Sequence, residues 1–170
     1  WSVNYQSGGL RAILGGGLKR YDGDHFGRVL WAELNPGIPK DHEYYNNNGL
    51  KDDVNVYAKA DYAFTENLRA FADLQYRMID YDLSGLNNDL TMLEEEHMYH
   101  FFNPKFGLSY SKDHYRLYAS WAVANREPTR ANIKDAAGDE DATPKPERLN
   151  NLELGYLYYS PRFSAGINGY

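Results

Sequence analysis

The sequence predicts an all-β protein: an antiparallel, up-and-down transmembrane β-barrel segment of about eight long strands. Three observations carry this reading. Apolar and polar residues alternate with a period of two in eight stretches, the connections between them are short and long in strict turn, and aromatic residues flank the short connections. The clearest unit lies in 145–170. Asn150, Leu152, Leu154, Tyr156 and Tyr158 oppose Asn151, Glu153, Gly155 and Leu157, Ser160-Pro161-Arg162 turns the chain, and Phe163, Ala165 and Ile167 resume the apolar face.

Taken in order, Trp1, Val3 and Tyr5 alternate with Ser2, Asn4 and Gln6, and Ser7-Gly8-Gly9 ends the run. Leu10 to Arg20 continues with Leu10, Ala12, Leu14 and Leu18 on one face, and Gly15-Gly16-Gly17 marks a bend or a close approach of another backbone. Residues 21–50 read as a long loop, with strand character only around Gly27 to Leu34. Val54, Val56, Ala58, Ala60, Tyr62 and Phe64 give the most regular alternation. Thr65-Glu66-Asn67 turns it into Leu68, Ala70, Ala72, Leu74, Tyr76 and Met78. A second long loop is expected at 82–98. Phe102, Pro104, Phe106, Leu108 and Tyr110 follow, Ser111-Lys112-Asp113 turns, and Tyr115, Leu117, Ala119, Trp121 and Val123 return. A third long loop, 125–147, leads to the hairpin described first.

Short turns therefore gather at one end and long loops at the other. Tyr5, Tyr62, Phe64, Tyr110, Tyr115, Tyr158 and Phe163 ring the short-turn end. That is the pattern of an outer-membrane barrel, with short periplasmic turns, long extracellular loops and an aromatic girdle. The opposite face carries Lys59, Asp61, Arg69, Asp73, Arg77, Lys105, Arg116 and Glu153, as a water-filled lumen requires. A soluble ligand-binding barrel also alternates, with its apolar face inward. Strands of ten or more residues and an aromatic rim at one level favour the membrane.

Composition removes other classes. No apolar run approaches the ~18 residues of a membrane helix. The net charge is −6 with dispersed basic residues, so the footprint of a nucleic-acid binder is missing. There is no cysteine, hence no disulfide, thiolate nucleophile or Cys-ligated zinc. No GxSxG, HExxH or phosphate loop occurs, and His114 sits beside a short turn, so no catalytic group and no enzyme activity is expected. No signal peptide opens the chain, and its abrupt ends suggest a trimmed piece.

Three stretches, YDGDHFG at 21–27, ANREPTRANIKDA at 124–136 and PKPERLNNLELGYLYYSP at 144–161, together with DLQYRMIDYDLSG at 73–85, resemble the β-barrel of TonB-dependent outer-membrane receptors. The resemblance spans the whole chain. It implies a 22-stranded barrel plugged by an N-terminal domain, importing a scarce nutrient of the iron chelate, haem, cobalamin or glycan class with energy relayed by TonB. Residues 1–170 would be part of such a barrel in the outer membrane of a Gram-negative bacterium, without plug or remaining strands. Its partners would be outer-membrane lipid, the plug, the TonB complex and a small ligand. A complete small eight-stranded barrel with a structural or adhesion role is the alternative.

Candidate ligand-binding residues lie at the long-loop end: Tyr21, Asp22, Asp24 and His25, with His42, Glu43, Tyr44 and Tyr45, whose aromatic and acidic groups suit an iron chelate or haem. The plain alternative is that they shape a loop. The charges of the lumen face would meet the plug. No cofactor and no metal site is assigned, because three or four converging ligands are needed. Glu94, Glu95, Glu96 and His97 read as a solvated charge run. Asp135, Asp139, Glu140 and Asp141 offer oxygen ligands for Ca²⁺ without the spacing of an EF-hand. Arg126, Arg130 and Glu147 are expected to pin the third loop to its strands. An isolated piece with two unpaired edges is expected to close on itself or to associate edge to edge.

Overall fold

The structure, a computed structural model, describes residues 1–34, 37–137 and 144–170. It is one eight-stranded antiparallel sheet in sequence order. The strands are β1 (Ser2–Ser7), β2 (Leu10–Arg28), β3 (Glu43–Ala63), β4 (Leu68–Leu86), β5 (Met92–Lys112), β6 (Tyr115–Arg126), β7 (Glu147–Tyr159) and β8 (Ser164–Gly169). A short helix, α1 (Arg130–Ala136), lies between β6 and β7.

Within the band the alternation read from the sequence is carried across every strand pair without a slip of face; the one register shift, between Gly27 and Arg28 of β2, lies above it. One rung runs Tyr5, Ala12, Ala60, Ala72, Phe106, Trp121, Leu152, and the next runs Leu10, Tyr62, Ala70, Leu108, Ala119, Leu154. A one-residue register slip would move a whole strand's apolar set to the other face, so this continuity fixes the pairing. The result is a band face with no protein against it, where Leu108, Leu152 and Leu154 are 54%, 58% and 56% exposed. On β4 the band runs from Leu68 to Met78, about eleven residues, the length of a tilted membrane-crossing strand. At its short-turn rim Tyr62 meets Phe64 edge to face at 4.8 Å, and Tyr158 meets Tyr115 at 5.3 Å.

The opposite, charged face is built differently. Two glycines lie beneath rings from the neighbouring strand: a Cβ on Gly107 would come within 2.3 Å of Phe71, and one on Gly155 within 2.1 Å of Tyr118. Gly15 is covered in the same way by Tyr57, whereas at Gly16 the close neighbour is the backbone oxygen of Asn55, as expected for that triplet. Glycine lets each ring lie flat across the strand, and a β-branched residue would expel it.

The expected loop boundaries need correction. Residues 21–28 and 43–50 are not loop but the paired upper parts of β2 and β3, and Gly27 to Leu34 is strand only as far as Arg28. Residues 82–98 are strand too, except for the turn at 87–91, where Asn87 and Thr91 exchange a backbone bond of 2.8 Å and Leu90 takes φ 67°. Above the band the β2 and β3 extensions are largely polar on both faces, and in β4 the alternation inverts, with Ile79, Tyr81 and Leu83 on the charged face against Asp80, Asp82 and Ser84, so it does not continue the apolar face below. The short turns fall where expected: Gly8 and Asp113 adopt φ 53° and 51° in their tight turns.

The lumen face is not uniformly wet. At the long-loop end Ile79, Tyr81 and Leu83 of β4, Tyr99 and Phe101 of β5, and Ile133 of α1 form a buried apolar cluster. Ile79 and Ile133 are 0% and 1% exposed. The third connection therefore folds back across the charged face instead of standing away from the sheet. Pro128 precedes the helix, Thr129 caps it, and Asn132 completes a reciprocal capping box. β5 and β6 pair only between Lys105–Ala122 and Lys112–Tyr115, so β5 rises well above β6. Pro104, which has no N–H to donate, stands where that ladder stops.

The sheet does not close: β1 and β8 each have one neighbour. Unpaired edges favour strand addition. In detergent the isolated chain is expected to sediment as an assembly of two or more copies joined at these edges. A single 19.6 kDa species would show that the free edges are tolerated.

Candidate functional site

Above the band, successive rungs of the charged face place specific side chains side by side. One rung aligns Tyr21, Lys51, Tyr81 and His97, and another aligns His25 with Asn47 and Gly85. The residues at 127–130 close over them. Together Tyr21, His25, Lys51, Tyr81, Glu127 and Arg130 account for most of the wall of a cavity of about 410 Å³.

Electrostatics hold this lid in place. Glu127 accepts from Lys51 Nζ at 2.6 Å and from Arg77 Nη1 at 3.0 Å, while Arg77 also donates to Asp53 at 2.6 Å. Lys51 and Asp53 belong to β3 and Arg77 to β4, so one loop carboxylate ties two strands together. Burial pushes the Glu127 carboxyl up. The bonds from Lys51 and a backbone N–H, with the charges of Lys51 and Arg77, outweigh this and hold it below the usual carboxylate range. His25, whose Nε2 lies 3.3 Å from Tyr21 Oη, is held below the ordinary imidazole range by burial and then by the charges of Arg130 and Lys134. It is therefore neutral at pH 7.

The two cations of α1 face neutral partners. Arg130 donates to the Asn47 side-chain oxygen and Lys134 donates to Asn88 Oδ1 at 3.0 Å. Arg130 Nε is buried without a partner among the described residues. Arg126 pairs with Glu147 at 2.8 Å across the β6–β7 ladder, so the NREPTR segment is fixed at both its ends.

Of the candidate ligand residues, the structure brings Tyr21 and His25 together on this cavity and separates the others from it. Asp22 and Asp24 occupy the alternate positions of β2 and face the opposite side, where Asn48 Nδ2 donates to them at 2.8 and 2.9 Å. His42 lies in the β2–β3 connection, its backbone oxygen accepting from Val29. Glu43 is engaged by Arg28 at 2.7 Å, and Tyr44 and Tyr45 stack edge to face at 5.0 Å over Gly27 at the hairpin tip. Glu94 to His97 lie in β5, not in a solvated loop, with His97 Nε2 3.2 Å from Glu95.

On the charged face, Lys59 pairs with Asp73 at 3.1 Å, and Arg77 is fully engaged by Asp53 and Glu127. Arg116 donates to Ser111, and Glu153 accepts from Tyr118 Oη at 2.8 Å. Lys105 lies 5.7 Å from the Phe71 ring centroid, and Asp61 and Arg69 line a small polar hollow by the first turn. Among the described residues no three His, Asp or Glu side chains converge on a metal-sized site. Asp139, Glu140 and Asp141 lie outside the described residues. A larger groove of about 500 Å³, among Ala60, Ala70, Ala72, Phe106 and Trp121, lies on the band face and offers no charged group.

Residues 1–170 match the family described as TonB dependent receptor-like, beta-barrel. The chain belongs to this family. Among solved structures, the receptor barrel fold recurs in the ferric citrate transporter FecA in its unliganded form. The TM-score is 0.70 at 16% identity, over 98% of this chain and 25% of that one. It recurs also in Fiu, the ferric-catecholate import receptor from K12 E. coli, in a closed form. There the TM-score is 0.58 at 13% identity, over 98% of this chain and 29% of that one. The chain thus spans between a quarter and a third of these receptors. No curated protein matches.

The lid's charges give it a pH dependence. Glu127 and His25 both have depressed pKa values in the folded state. Their stabilisation is complete above their unfolded values and is lost as pH falls, first through the imidazole range below about 6.5 and then through the carboxylate range below about 4.3. Glu127→Gln is expected to loosen the 127–137 segment by about 2 kcal/mol at pH 7 and to flatten the lower of the two steps. Limited proteolysis of this segment against pH is the measurement. An unchanged profile would show that Glu127 does not hold the lid.

Proposed function

We propose that the chain is a section of the wall of an outer-membrane importer that takes up an iron chelate. In this reading the short turns face the periplasm and the long-loop end faces outward. The band face meets lipid, and the charged face meets the plug domain and the passing nutrient. The plug and the remaining strands belong to the rest of the parent protein, which couples to TonB. The observation that carries the reading is the lid. A connection at the outward end folds across the lumen face and partly covers a hollow there, whose mostly apolar wall carries His25, Lys51, Glu127 and Arg130, which suits a receptor that must capture a ligand before passing it inward. The family match and the two iron-chelate receptors that share the fold support it. A complete eight-stranded barrel is disfavoured by the open sheet. A soluble barrel is disfavoured because the band sits on the face opposite α1 and its apolar cluster, and so would have to line a second interior.

The lipid contact is tested by charge. Leu74→Arg, at mid-height of the band, is expected to cost about 2–4 kcal/mol of stability in lipid vesicles, whereas Ser120→Arg on the other face should cost far less. Equal costs would remove the assignment of faces. Transport is tested by deleting the full-length receptor gene and measuring radiolabelled iron-chelate uptake in energised cells. Uptake should fall to the level of a strain without TonB; wild-type uptake would end the importer reading.

A further inference from the structure

We propose that the cavity under the lid is a subsite for an oxyanion of the ligand, a carboxylate or a phosphate group, bound by Arg130 with Tyr21 and His25. The inference rests on the importer reading and narrows it to ligands that carry such a group.

The charge balance around the cavity motivates it. Four cations stand at or beside it. Lys51 and Arg77 share Glu127, with Asp53 taking a further bond from Arg77, and Arg126 is neutralised by Glu147. Among the described residues, Arg130 alone of the lining cations has no carboxylate partner: its side-chain bond goes to the neutral amide of Asn47. Lys134, one turn along α1, is likewise bound to the neutral amide of Asn88. Neither Arg130 nor Lys134 is thus paired with a carboxylate among the described residues, and their charge is felt nearby, since both disfavour protonation of His25.

A guanidinium held without a counter-charge, in a space of about 410 Å³, is the group that recognises planar oxyanions. Neutral His25 and the Tyr21 hydroxyl, 3.3 Å apart, stand on the facing strand with hydrogen-bond donors to offer. Asn47 holds the guanidinium in position without quenching it. An aspartate there would make the lid firmer and the cavity neutral.

That exchange provides the test. Citrate and inorganic phosphate are titrated into the purified full-length receptor by calorimetry. Binding of either supports the subsite if Arg130→Gln weakens it about tenfold or more while Arg130→Lys keeps most of it. Citrate alone indicates a carboxylate ligand, and phosphate alone a phosphorylated one. Because Arg130→Gln also removes a lid contact, Asn47→Asp is measured beside it. It keeps the anchor but neutralises the charge, and it is expected to weaken binding as much. Binding unchanged in both variants, or no binding of either probe, would overturn the subsite. In parallel, cells are given an uncharged hydroxamate chelate of ferric ion. Uptake of that chelate through a receptor indifferent to both anions would leave the importer standing without this subsite, and absence of any iron-chelate uptake would remove the importer itself.

Discussion

Everything in this molecule follows from the requirement that each strand give its backbone N–H and C=O groups to its neighbours. In a lipid environment no water replaces a missing partner, so the ladder cannot be interrupted within the band. Antiparallel pairing in sequence order meets this with the shortest connections, and the pleat then divides the side chains into two sets. One set, from Val3 to Ile167, is predominantly apolar. The other is free to carry charge, because in the proposed membrane setting it is turned away from lipid. The Lys59–Asp73 pair and the Tyr118–Glu153 bond occupy that second set.

Where the band ends, the constraint changes. The upper strands still pair, but the face that continues the band need no longer be apolar, and it becomes polar: Asp22 and Asp24, Asn46 and Asn48, Asp80 and Asp82, Glu94 and Glu96. An apolar patch reappears on the charged face only where α1 covers it. Ile79, Leu83 and Ile133 are buried because the chain returns to them, not because the strand pattern required it.

This explains which parts could be read in advance. The band strands, their faces and the four short turns were legible, since period-two alternation and turn chemistry are both local. The upper strands are not, because the apolar face ends with the band and the alternation above it in β4, Ile79, Tyr81 and Leu83 against Asp80, Asp82 and Ser84, runs on the opposite face. The sequence marks Tyr21 and His25 together with Asp22 and Asp24 as one loop cluster; in a strand, parity sends the acids to the other side. Arg126 and Glu147 were recognisable as pins. Arg77 was placed on the correct face, yet its engagement by Glu127, fifty positions away, left no local trace. The helix did leave one: Thr129 followed three residues later by Asn132, just after a proline, is a capping signature on an element too short to show periodicity.

The lid also inspects the work of assembly. Glu127 reaches Lys51 on β3 and Arg77 on β4, Arg130 reaches Asn47 on β3, and Ile133 settles against β4 and β5. All of these contacts point to one side of the sheet. If any of these strands were mispaired by a single residue, its contribution would turn to the wrong side and the segment would find nothing to grip. Since residues 127–137 follow the strands they touch, their docking certifies that the preceding wall was laid correctly. A miswoven wall would leave them hanging outside, where a protease could cut.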